Sequence, residues 1–114
     1  MIMSHEQLID LGDTLLRHYK YAALLYTNVS SITFDSGYNL IPTSINNKFF
    51  NTIEVAFNSL NKIAKNILYL MYFKDETTST SVAYKLFISR STVYRTRDKA
   101  LVKIAKSYSQ LFLN

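Results

Sequence analysis

From Asn47 to Phe73 the chain contains neither proline nor glycine, and its apolar residues return every three or four positions: Phe49, Phe50, Ile53, Phe57, Leu60, Ile63, Ala64, Ile67, Leu68 and Met71. That period gathers the apolar side chains on one stripe of a helix, whereas a strand would need strict alternation. The stretch predicts one long helix or two abutting ones. A stripe of this kind is stable only when it is covered, so other segments must pack on it.

One such segment lies at the start of the chain. Leu8, Leu11, Leu15, Leu16, Tyr19, Ala22, Ala23 and Tyr26 keep the same period and predict a helix from about His5 to Tyr26. Ser4 and Gln7 stand at the spacing of a capping box, in which each side chain satisfies a free amide of the other residue. Gly12 weakens the helix by about 1 kcal/mol of intrinsic propensity. Residues 27–47 lose the period: Ser, Thr and Asn crowd in and Gly37 and Pro42 punctuate the segment, which reads as a connection. Val29, Ile32 and Phe34 before "DSG", and Tyr38, Leu40 and Ile41 after it, leave room for a short irregular hairpin.

The segment "KDETTSTS" at 74–81 ends the long apolar pattern and offers Ser79 and Thr80 as N-caps for a short helix over about Thr80 to Leu86. Ser89 can cap a last helix from Arg90 to about Gln110. The fold class expected is all-α: one compact domain, with a helical segment and connection over 1–58 and a helix-turn-helix over 59–114. The 114 residues, 48% of them hydrophobic, suffice for one modest core. Without cysteine, disulfides and thiolate zinc sites are excluded. No basic start leads into an apolar run, and no stretch approaches ~18 apolar residues, so neither export nor membrane spanning is expected and a cytoplasmic location is the default.

Charge is divided unevenly. Residues 1–61 hold three basic and five acidic side chains, a net of −2, while residues 62–114 hold ten basic and three acidic, a net of +7. A one-signed field of that kind draws polyanions. The residues from Ala83 onward fit a helix-turn-helix: small Ala83 where two helices cross, a turn of Phe87, Ile88 and Ser89, and apolar plugs at Ile88 and Val93. Glycine is common where Phe87 stands, so the backbone there is expected to avoid positive φ and the ring to tuck into the core. With Val93 inward, Thr96, Arg97, Ala100 and Ile104 share its side, and Ser91, Tyr94, Arg95 and Asp98 point outward. Ser91, Thr92, Tyr94 and Arg95 are therefore candidates for base contacts in a major groove, Arg95 foremost because a guanidinium grips guanine O6 and N7 together. Arg90, Arg97, Lys99 and Lys85 suit phosphates, as do the amides and hydroxyls at Thr78 to Thr80 and at Ser89.

The segment "ISRSTVYRTRDKALVKIA" resembles the last helices of the region-four helix-turn-helix of sigma factors, and "IEVAFNSLNKIAKNILYLMYF" at 53–73 is similar to the run leading into that unit in phage late-gene regulators of the ArpU and RinA type. The likeness covers residues 53–106. It implies a transcription activator of phage late operons that binds DNA upstream of packaging or lysis genes. Thr96 and Arg97 stand where an aliphatic residue is frequent in such helices, a departure that bears on how this helix packs.

Other readings use the same residues. A packing unit of three helices with an ordinary basic face has the same apolar pattern. A small terminase-like subunit would also bind DNA, and a module docking on RNA polymerase would turn its cations toward acidic side chains. Tyr94, Tyr84 and Tyr108 are the aromatics placed to stack on single-stranded bases. The tail Leu111, Phe112 and Leu113 can fold back on the first helix or pair two copies as a homodimer. His5 and His18 stand alone, and no base lies at helical distance from Ser89, Ser91 or Thr92, so neither an enzyme nor a metal or other cofactor is expected.

Overall fold

The structure is a computed structural model that describes residues 2–27, 32–43, 47–74 and 78–112, without the side chains of Tyr26 and Thr27. Val29, Leu113 and the Tyr26 ring, each assigned a place above, lie outside the described residues. Among those residues the architecture is all-helical: α1 His5–Thr27, α2 Lys48–Asn58, α3 Lys62–Leu68 running on into a π-helical turn Tyr69–Phe73, α4 Ser79–Leu86 and α5 Arg90–Phe112.

The capping box starts α1, with Ser4 N donating to Gln7 Oε1 at 2.8 Å and Gln7 N to Ser4 Oγ at 3.1 Å. The long apolar stretch is broken rather than continuous. Asn58, Ser59 and Asn61 offer the backbone side-chain partners that compete with helix: Ser59 Oγ donates to Ala56 O at 2.7 Å, and Asn61 Oδ1 caps α3 by accepting from Ala64 N at 2.9 Å. Asn47 caps α2 in the same way, accepting from Phe49 N and Phe50 N.

Leu15, Leu16, Tyr19, Ala23, Phe50, Ile53, Phe57, Leu60, Leu68, Leu101 and Ile104 are buried together, so α1, α2, α3 and α5 enclose one core. Ile63 departs from the predicted stripe and is exposed. A second, smaller cluster of Ile67, Val82, Ala83 and Val93 joins α3, α4 and the start of α5. At the α1–α5 crossing Gly12 is buried, and a β-carbon there would stand 2.2 Å from the Leu101 carbonyl oxygen.

Among its described residues the connection contains no pair of strands; an antiparallel bridge joins Phe34 and Leu40 around a reverse turn. Asp35 Oδ1 accepts from Gly37 N at 2.8 Å and Asn39 N at 3.0 Å, and these bonds draw the Asp35 carboxyl below its ordinary range. Asn58 acts as the missing strand: its Oδ1 accepts from Leu40 N at 2.7 Å and its Nδ2 donates to Leu40 O at 3.1 Å. Phe34 drops between Tyr69 and Phe73, at ring distances of 4.8 and 5.0 Å.

Two polar links inside the helical layers join distant segments. The buried carboxylate of Glu54 accepts from Tyr19 Oη at 2.8 Å and Thr43 N at 2.9 Å. The buried Tyr72 hydroxyl donates to Asp13, which also pairs with Arg17 at 3.0 Å. The tail does not fold back on α1: Leu111 and Phe112 continue α5 to its end and are exposed, with Lys48 Nζ of α2 donating to Leu111 O at 3.1 Å and Phe112 stacking on Tyr108 one turn earlier at 4.7 Å.

Phe87 contradicts its predicted state. Its φ is 56° and its ring is 94% exposed. The cause is the way α4 ends: Ile88 N donates back to Ala83 O at 3.1 Å, a closure that places the residue before it in the left-handed region. For a residue with a β-carbon that conformation costs about 1–2 kcal/mol.

Candidate nucleic-acid interface

The start of α5 is built from hydroxyls. Ser89 Oγ accepts from Thr92 N at 3.1 Å, capping the helix as its sequence predicts, and lies 3.1 Å from Ser91 Oγ and 2.8 Å from Thr92 Oγ1. One side of the helix is locked inward by Val93, Ala100, Leu101 and Ile104, all buried. On the other side Ser91, Arg95 and Lys99 are exposed at successive four-residue steps. Among the described residues Arg95 and Lys99 have no ion-pair or hydrogen-bond partner for their side chains.

The exposed stripe does not stop at Lys99. Lys103 and Lys106 are exposed and extend it down the helix, a distance of ~16 Å from Arg95 at 1.5 Å per residue. Each neighbouring pair of cations three or four residues apart costs a helix about 0.2–0.5 kcal/mol when nothing anionic lies beside it. Sequence reasoning stopped short of Lys103 and Lys106, although the three- and four-residue spacing that reveals them is visible in the chain.

Tyr94 and Arg97 do not stand free on that face. The Tyr94 hydroxyl accepts from Ser79 Oγ at 2.7 Å, and Ser79 itself is buried as the first residue of α4. That bond first, then a hydrogen bond from Arg90 and the charges of Arg90 and Arg97, hold the phenol below its ordinary value. The ring supports the Arg97 guanidinium at 5.3 Å, while Asp98 accepts from Arg97 Nε at 3.0 Å and Nη2 at 2.8 Å. Arg97, one of the two positions that depart from the aliphatic pattern, is thus held in a half-buried ion pair, and Arg97 and Asp98 largely cancel each other. Tyr94 is exposed, as its helical angle predicts, but its hydroxyl is engaged in fastening α4 to α5.

On α4 the cap is Thr78, whose Oγ1 accepts from Ser81 N at 3.0 Å, rather than Ser79 or Thr80. Thr80 and Lys85 are exposed on that helix, and Arg90 is exposed at the entrance of α5. The structure therefore brings Ser89, Arg90, Ser91, Thr92, Arg95 and Lys99 onto one run of surface, with Tyr94 and Arg97 beside it as supports.

Elsewhere the described residues contain no group of three or more His, Cys, Asp or Glu side chains able to hold a metal ion. His18 packs edge-on against Phe49 at 5.3 Å. No described helix is long and apolar enough to cross a membrane. Comparison of the chain with protein-family models, with curated proteins and with solved structures finds no match.

Proposed function

We propose that this protein binds double-stranded DNA through a helix-turn-helix formed by α4, Phe87–Ser89 and α5, and acts by binding rather than by catalysis. The observation that carries the reading is the cationic stripe of Arg95, Lys99, Lys103 and Lys106, without ion-pair partners among the described residues and set on a helix whose opposite side is fixed in the core. Such a stripe is self-repelling in isolation and gains energy on a polyanion. A major groove is about 12 Å wide, so the first turns of α5 would meet base edges, and Lys103 and Lys106 would lie over the flanking phosphates. Arg95 is assigned to a base, with Ser91 and Thr92 beside it; Arg90, Lys99 and Lys85 are assigned to phosphates. The likeness to phage late-gene regulators extends the proposal to transcription control inside the host cytoplasm.

Electrophoretic retardation of duplex DNA at low ionic strength tests the reading. If about five phosphates are neutralised, log K falls with log[salt] at a slope of about −4 to −5. Arg95→Ala is expected to lose ~1–3 kcal/mol of preference for a selected sequence over random duplex, whereas Lys99→Ala weakens both alike and reduces the slope by about 1. No retardation of any duplex would overturn the proposal, and equal losses from both variants would overturn the assignment of Arg95.

A further inference from the structure

Phe87 pairs a left-handed backbone, imposed by the closure of α4, with a side chain that the fold leaves in solvent. Its backbone is held in the left-handed region at φ 56° and ψ 43°, where glycine would fit without strain. Its ring is 94% exposed, so the strain is not offset by burial within the chain. Backbone strain that is retained at an exposed position points toward a function for the side chain. The ring lies at the turn into α5, three residues before Arg90, with Lys85 on the preceding helix also exposed.

We infer that Phe87 is a specificity residue, packing its ring against the 5-methyl group of a thymine at the edge of the groove that α5 enters. This rests on the DNA-binding reading above. Charge selects the surface that the ring meets: exposed Lys85 and Arg90 stand two and three residues from Phe87 in the chain, and α5 itself carries the cationic stripe, which suits the repeated phosphates of a duplex. Within a major groove the apolar partner available to a phenyl ring is the thymine methyl. A polar residue at this turn would tolerate any base pair, whereas an exposed phenyl favours T·A over C·G through the methyl alone.

The test uses a duplex selected from a random pool by the full chain, compared with the same duplex carrying deoxyuridine for thymine, which removes only the methyl groups. The native protein is expected to bind the deoxyuridine duplex about fourfold or more weakly, as burial of one methyl implies. Phe87→Gly and Phe87→Asn, both suited to the left-handed backbone, should bind the thymine duplex weaker by a similar factor and lose much of the discrimination between the two duplexes. Phe87→Gly should also unfold at higher denaturant, which separates the binding loss from any loss of fold. Variants that keep native affinity, or keep the native thymine-to-deoxyuridine ratio, would overturn the inference while leaving DNA binding intact. Failure of the native chain to retard any duplex would instead remove the reading on which it rests.

Discussion

Gly12→Ala is expected to destabilise the protein by about 2–3 kcal/mol, even though alanine is the better helix former by ~1 kcal/mol. The added β-carbon would lie 2.2 Å from the carbonyl oxygen, 2.7 Å from the carbonyl carbon and 2.8 Å from the β-carbon of Leu101. Two of those atoms are backbone within α5, so relief requires the two longest helices to move apart rather than a side chain to rotate. Their contact buries Leu15, Leu16, Leu101 and Ile104, and separation would open that layer. Gly37→Ala is the control: its β-carbon would stand 3.4 Å from an Asp35 carboxylate oxygen, ordinary contact, and the backbone there is not left-handed. Urea unfolding should therefore show a large loss for the first variant and a change within about 0.5 kcal/mol for the second.

Tyr19→Phe is the second large effect, expected at about 2 kcal/mol near neutral pH. The ring stays buried in the variant, but Glu54 loses the hydroxyl that donates to it at 2.8 Å and, among the described residues, keeps the Thr43 amide. A carboxylate buried with one donor fewer is costly, because the lost bond was not traded for water. The same hydroxyl governs alkaline behaviour. Burial first, and then the bonded carboxylate, raise Tyr19 above its ordinary 10.0; burial and Asp13 do the same for Tyr72. The unfolded chain therefore releases protons that the folded chain retains, so this contribution is complete below pH 10 and falls as pH rises beyond it. Unfolding followed from pH 9 upward should show a shallower decline in Tyr19→Phe, and a shallower one still when Tyr72→Phe is added. An unchanged slope would show that these phenols do not couple ionisation to folding.

Periodicity carried most of the architecture in the sequence. Leu15, Leu16, Phe50, Ile53, Phe57, Leu68, Val93 and Ile104 were readable as core because apolar spacing on a helix reports burial directly. Caps were legible where the chemistry is local, as at Ser4, Gln7 and Ser89. The break at Ser59 was legible only as one of two alternatives, one long helix or two abutting ones, because the apolar stripe runs through it; the bond of Asn58 to Leu40, 18 residues away, has no local signature. Gly12 looked like a weakness in α1 until Leu101 appeared opposite it. At the candidate interface the outward placement of Ser91 and Arg95 followed from helical angle alone, but the engagement of Tyr94 with Ser79 depends on where α4 starts, and the exposed Phe87 on how α4 ends. Both are properties of a junction, to which periodicity is blind.

Every other helix touches α5, which lies against α1, α2, α3 and α4 in turn. It also follows all of them in chain order. Taking α5 away would therefore uncover a flank of each of the other four, leaving links such as Tyr19 with Glu54 and Phe50 to hold α1 to α2. The side of α5 that carries Arg95 and Lys99 is thus oriented by the same contacts that close the interior, and a change that loosens Leu101 or Ile104 would disturb both.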